Sequence, residues 1–231
     1  MAISVLEREM YSEAEAARLL RLPPSTLNYW LEGGRRGGKI YQPIIREQPR
    51  GGHPPVTWSE FIEASWMRQY RRIDNVPMAE LRVFITRLRE RYGVPYPLAH
   101  FRAFANQGQL VLMQEAQTTA GLDPDFCLVA EVSGQLVLTP PADAYVRRIE
   151  WDEEHDAPMA WRPHDDPDSP VRIYPDIRFG RPSVGGISTD VLWEQVDDGA
   201  DPNEVANDYG VTIRDVQWAV SYETAAHARV A

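Results

Sequence analysis

The stretch that decides the fold of the N-terminal region is Tyr11-Ser12-Glu13-Ala14-Glu15-Ala16-Ala17-Arg18-Leu19-Leu20, followed after Pro23 by Pro24-Ser25-Thr26-Leu27-Asn28-Tyr29-Trp30. Ser12 and Glu15 form an S-x-x-E capping box, which opens a helix. Ala16, Ala17, Leu19 and Leu20 supply its apolar face. Pro23 and Pro24 stop that helix, and a proline tolerated in the first turn lets Pro24 open a second one. In it Leu27, Trp30 and Leu31 fall at i, i+3 and i+4 and form a buried stripe. Ser25, Thr26, Asn28 and Tyr29 are then expected to point outward. Two short helices, a tight turn and a polar outer face on the second make a helix-turn-helix. Small polar residues at the start of such a second helix suit base edges in the major groove.

Working outward, Gly33-Gly34-Arg35-Arg36-Gly37-Gly38-Lys39 reads as a loose, basic loop. Between residues 34 and 53, Arg35, Arg36, Lys39, Arg46 and Arg50 face a single acid, Glu47. Ile40 to Ile45 reads as a strand, Arg50-Gly51-Gly52-His53 as a turn, and Val56 to Trp58 as the strand that pairs back. That would be a two-stranded wing with a basic tip. Thr57 and Glu60 form a second capping box, for a helix over about residues 59–72. Pro77 starts another helix that ends at Gly93, with Met78, Leu81, Ile85 and Leu88 at helical spacing. The candidate DNA-binding residues are Ser25, Thr26, Asn28, Tyr29, Arg35, Arg36, Lys39, Arg46, Arg50 and His53.

The chain as a whole is acidic, with 24 basic and 34 acidic side chains among 231 residues and a net charge of −10. The total hides a split. Residues 1–92 carry 15 basic and 11 acidic groups, a net of +4, whereas residues 93–231 carry 9 and 23, a net of −14. Opposite halves suggest two functions rather than one acidic protein. The single cysteine, Cys127, excludes an internal disulfide framework and a multi-cysteine zinc site. It is expected to be a buried, inert thiol. No signal peptide and no membrane span are expected, so a reducing cytoplasm is the expected compartment.

Residues 93–148 contain three strand candidates, Gln109 to Met113, Phe126 to Val132 and Gln135 to Thr139, with a Ser133-Gly134 turn between the last two. The echo of Gly108-Gln109-Leu110-Val111-Leu112 in Gly134-Gln135-Leu136-Val137-Leu138 reads as shared strand chemistry rather than a repeat. Pro140 and Pro141 open a short helix that reaches Arg148. Further on, Ile149 to Asp152 and Met159 to Arg162 flank an acidic turn, Glu153-Glu154-His155-Asp156. A second acidic loop, His164-Asp165-Asp166-Pro167-Asp168, follows. Both read as solvated turns, and no metal or cofactor is expected.

Thr189 starts a helix that ends at Gly199. Asp201-Pro202-Asn203-Glu204 caps a second helix, and Thr212 with Asp215 caps the last, about 213–226. Val205, Ala206, Val211, Ile213, Val216, Ala219, Val220 and Tyr222 supply the expected core. The geometry is that of a second helix-turn-helix. Between Ser188 and Ala226, however, there are nine acids and one basic residue, Arg214. Phosphate repels such a surface, which suits a basic protein partner instead.

The expected fold is therefore α+β in three regions. They are an N-terminal DNA-binding domain (1–92), a small connecting segment containing a β-sheet (93–148) and an acidic domain of a β-hairpin with three helices (149–231). The order helix, turn, helix, wing, helix, helix resembles a MerR-type winged helix-turn-helix, carried by the two quoted segments with Trp58-Ser59-Glu60-Phe61 and Val76-Pro77-Met78-Ala79-Glu80-Leu81. The signature Ile-x-Pro-x-Ile-x-x-Gly-Arg-Pro, from Ile173 to Pro182, resembles a bacterial domain typical of antitoxins encoded beside PIN-like ribonuclease toxins. Together the two resemble an antitoxin of the VapB class. That resemblance implies a cognate VapC-type toxin as partner, binding to the operator of its own operon, and a homodimer on that operator. The alternative is a stand-alone MerR-like transcriptional regulator with a C-terminal sensor or interaction domain. Neither reading is an enzyme: no nucleophile–base pair, phosphate loop or metal helix stands out.

Overall fold

The computed structural model describes residues 4–73, 76–100, 107–122, 127–132, 135–152, 157–164 and 166–228. The chain is a mixture of helices and small sheets. It divides into two compact units, one of residues 1–147 with 151–158, the other of residues 148–150 with 159–231.

The first unit begins with strand β1 (Glu9–Tyr11) and helix α1 (Glu13–Leu19), whose N-cap Ser12 accepts from the Glu15 amide at 3.2 Å. Helix α2 (Pro24–Glu32) starts on its proline, as expected, and buries Leu27, Trp30 and Leu31. The wing takes a different form from the one read in the sequence. Strand β2 (Gly34–Arg36) pairs with β3 (Lys39–Tyr41), while β4 (Val56–Thr57) pairs with β1. The reason lies in the glycines. Gly37 and Gly38 both hold positive φ, the requirement of a two-residue hairpin turn, so Lys39 folds straight back onto Arg36. At Gly33 a Cβ would come within 2.3 Å of the Tyr41 carbonyl oxygen, so this close approach admits only glycine.

Helix α3 (Trp58–Arg68) has the reciprocal capping box of Thr57 and Glu60 and ends in a π-helical turn over Gln69–Ile73. Helix α4 (Met78–Tyr92) stops at Gly93 in the left-handed conformation. The expected strand at Gln109 to Met113 is instead part of helix α5 (Gln107–Ala120). Its buried positions Met113, Ala116, Gln117 and Ala120 recur at i, i+3, i+4 and i+7 and pack toward α4. The stripe continues well beyond the short apolar run that suggested a strand. The sequence echo therefore pairs a helix with a strand and is no repeat.

Strands β5 (Val129–Val132) and β6 (Gln135–Leu138) form an antiparallel hairpin with Val132 opposite Gln135; its Ser133-Gly134 turn lies outside the described residues. Cys127 precedes β5 and is only half-buried, rather than sitting inside the strand. Helix α6 (Pro140–Val146) is tied to α3 by a Tyr145 Oη to Ser65 Oγ hydrogen bond of 2.5 Å and by Tyr145 packing on Trp66, with ring centroids 4.2 Å apart.

A five-stranded sheet contains β7 (Ile149–Asp152), β8 (Ala157–Trp161), β9 (Arg172–Ile173), β10 (Pro182–Val184) and β11 (Ile187–Ser188), in the spatial order β11-β10-β9-β8-β7. The acidic turn at 153–156 lies outside the described residues. Helices α7 (Thr189–Asp197), α8 (Pro202–Tyr209) and α9 (Ile213–His227) complete the second unit, and Thr212 with Asp215 forms a full capping box. Their core is Val171, Val184, Leu192, Val205, Ala206, Val216, Ala219 and Tyr222, with Val211 and Val220 packed at its edge. Ile213, expected in that core, is an exposed first residue of α9.

Candidate functional site

The expected polar face of α2 is narrower than the helical wheel implies. Ser25 is exposed and Thr26 half-buried. Asn28 donates from Nδ2 to Glu13 Oε2 at 2.9 Å. Tyr29 is buried rather than outward, because the Arg36 guanidinium lies 3.9 Å from its ring centroid and Tyr41 meets it edge-on at 6.3 Å. Arginine over an aromatic face is a favourable cation–π contact that also leaves the guanidinium edge free to bind.

On the hairpin, Arg35, Arg36 and Lys39 are exposed, as is Ile40 at 75%. Beside it runs a groove of about 550 Å³ whose lining includes the aromatic rings of Tyr29, Trp30 and Tyr41 and the cations of Arg36, Arg71 and Arg82. No acid lines it among the described residues. Arg71 Nη1 donates to the Val76 carbonyl at 2.5 Å, and Arg82 Nη1 to those of Gln42 and Pro43 at 2.5 and 3.1 Å. Arg71 and Arg82 were absent from the sequence-derived set. They come from the end of α3 and from α4, and nothing in the local pattern marks helical arginines as facing a distant hairpin.

The remaining members of that set are elsewhere. Arg46 is 1% exposed. It forks onto both carboxylate oxygens of Glu60, at 2.8 and 2.9 Å, and also contacts Glu32. Burial works to raise the Glu60 carboxyl, but the hydrogen bonds from Arg46 and the Thr57 amide hold it below the ordinary range. Arg46 thus has no exposed edge to offer a phosphate. Arg50 reaches Tyr96 Oη at 3.1 Å and Glu60 at 3.3 Å, and Glu32 Oε2 accepts from the Arg50 and Gly51 amides. Glu32 therefore folds the loop over 46–51 back onto α2. His53 stays exposed with Nδ1 3.1 Å from Glu13 Oε2.

In the second unit, Glu194, Asp197, Asp198, Asp201, Glu204 and Asp208 are exposed on α7, α8 and their connection. Of the other acids counted there, Asp190 and Asp215 are half-buried, and Glu223 is buried and accepts from Thr189 Oγ1. Among the described residues no three His, Cys, Asp or Glu side chains gather as a metal site, and no helix is long and apolar enough to cross a membrane.

No protein-family model matches the chain. Rv2308 of Mycobacterium tuberculosis is 33% identical over 221 residues, spanning 95% of this chain and 92% of that protein. A second protein of the same organism, named "Putative antitoxin VapB45", is 30% identical over 217 residues, spanning 88% of this chain and 89% of its own length. The chain belongs to the VapB45 antitoxin family. The crystal structure of Rv2018 from Mycobacterium tuberculosis matches it with a TM-score of 0.70 over 93% of this chain and 98% of that one, at 22% identity. The similarity to VapB45 thus covers both compact units and not one motif.

Proposed function

We propose that this VapB45 relative is the antitoxin of a type II toxin–antitoxin pair and not an enzyme. Its acidic C-terminal unit binds and neutralises a PIN-like ribonuclease toxin of the VapC type. Its basic N-terminal region binds the operator of its own operon, two copies sitting on a two-fold site. The observation that carries the reading is a match to VapB45 that runs through both units. Charge supports the division of labour. A ribonuclease needs a positive groove for RNA, and the exposed acids of α7 and α8 complement it. On the DNA side, exposed Ser25 and half-buried Thr26 offer small polar groups for base edges, and exposed Arg35, Arg36 and Lys39 on the hairpin that follows offer cations for phosphates.

Co-expression with the neighbouring open reading frame tests the proposal. A stable complex and rescue of growth from the neighbour's toxicity are expected. Absence of both would overturn it.

A further inference from the structure

Phe179 is the most exposed large apolar side chain among the described residues, at 92%. It stands in the loop between β9 and β10, and it is placed there against backbone preference. Arg178 and Phe179 are consecutive non-glycine residues with φ of +51° and +54°. Left-handed backbone is unfavourable for residues with a Cβ, and a run of two is rarer still. Such strain persists only where the surroundings enforce it. Here Arg178 Nε donates to the Gly186 carbonyl at 2.8 Å, the Gly180 amide to Ile177 at 3.0 Å and the Arg181 amide to Arg178 at 3.1 Å. The ring has no part in the core of its unit. A braced loop that holds an aromatic in water matches the anatomy of an interface anchor, which gains by being ordered before it binds.

We propose that Phe179 is the apolar anchor by which this chain engages its toxin, inserting into an apolar socket beside basic groups that meet the acids of α7. The inference rests on the antitoxin reading and names the residue that makes the contact. Continuity with the acidic surface proposed for the toxin identifies the occupant. Arg181 pairs with Asp190 at 3.4 Å, which joins the loop to the start of α7, the helix that carries exposed Glu194 and Asp197. Arg178 keeps its positive charge on the neutral Gly186 carbonyl, and Arg181 is paired with Asp190, so the excess of acids begins at α7, next along the same surface. A second copy of this chain would set the exposed acids of α7 against a surface that is itself acidic.

The test measures the full-length chain against the neighbouring gene's product, with Phe179→Gly and Phe179→Leu beside the wild type. Glycine adopts this φ without a Cβ penalty, so F179G should unfold no earlier than wild type. It should nonetheless lose at least about 30-fold in toxin affinity, the scale of a truncated hot spot. F179L should fall between the two. If F179G binds like wild type, the anchor is overturned and the antitoxin reading stands. If F179G loses stability in step with binding, the ring is structural and the proposal fails. If the wild-type chain does not bind the toxin, both readings fall. Self-association of the chain alone that F179G abolishes would assign the ring to a second copy and overturn the proposal.

Discussion

Glu63 lies wholly inside the first unit, where burial pushes its carboxyl up to about 7 despite the Arg89 guanidinium 3.6 Å away and the Leu98 amide donating at 3.0 Å. The folded chain therefore holds this proton more tightly than the unfolded chain does. Stability from the group is complete below its ordinary value of 4.5 and is lost as pH rises through about 7. Glu63→Gln keeps the acceptor for Leu98 and removes the titration. Its stability should vary less with pH between 4.5 and 7 and exceed wild type at pH 8 by at most roughly 3 kcal/mol, measured by urea unfolding. Arg46 predicts the opposite sign. Arg46→Ala strips buried Glu60 of its two-pronged partner, leaving it the cation of Arg50 at 3.3 Å, and should cost about 3 kcal/mol in the same measurement. Nothing around Arg46 in the sequence separates it from the surface arginines of the hairpin. Its burial depends on carboxylates 14 residues away on either side.

At the scale of elements, the capped helices were legible because their signals are local, whereas α5, whose start reads as a strand in the sequence, was not. Ser12, Thr57 and Thr212 cap the helices they were expected to cap, Pro24 starts α2, and Gly93 stops α4. Strand pairing was less legible, since apolar runs of similar length can pair in several ways. Gly37-Gly38 closes a local hairpin and leaves Val56–Thr57 to pair with the segment before α1. The hairpin also gives the DNA proposal its sharpest test. Replacing Arg35 and Arg36 together by Ala should reduce the slope of log affinity for the operator against log salt by about two contacts. An unchanged slope in a binding titration would remove the hairpin from the interface. Arg36 also covers Tyr29, so the single Arg35→Ala variant, with a loss of about one contact, isolates the phosphate term from packing.

For the whole molecule, the net charge of −10 describes no single surface. Among the described basic side chains of the first 92 residues, Arg35, Arg36 and Lys39 stand on an exposed hairpin whereas Arg46 lies in a buried ion network. Most of the described acids of the second unit are exposed. If the toxin is drawn in by those acids, Asp197→Asn with Asp198→Asn should slow association with it several-fold at low salt, less at high salt, and leave operator affinity unchanged. Stopped-flow association rates beside a DNA titration check both halves. The sequence alone determined the charge split, the helix starts and stops and the apolar stripes, because each is written within a turn or two of chain. Tertiary structure alone decided which arginines remain on the surface, how the short strands pair, and that Phe179 stands in water on a strained loop. Those outcomes depend on groups that meet only after distant segments pack.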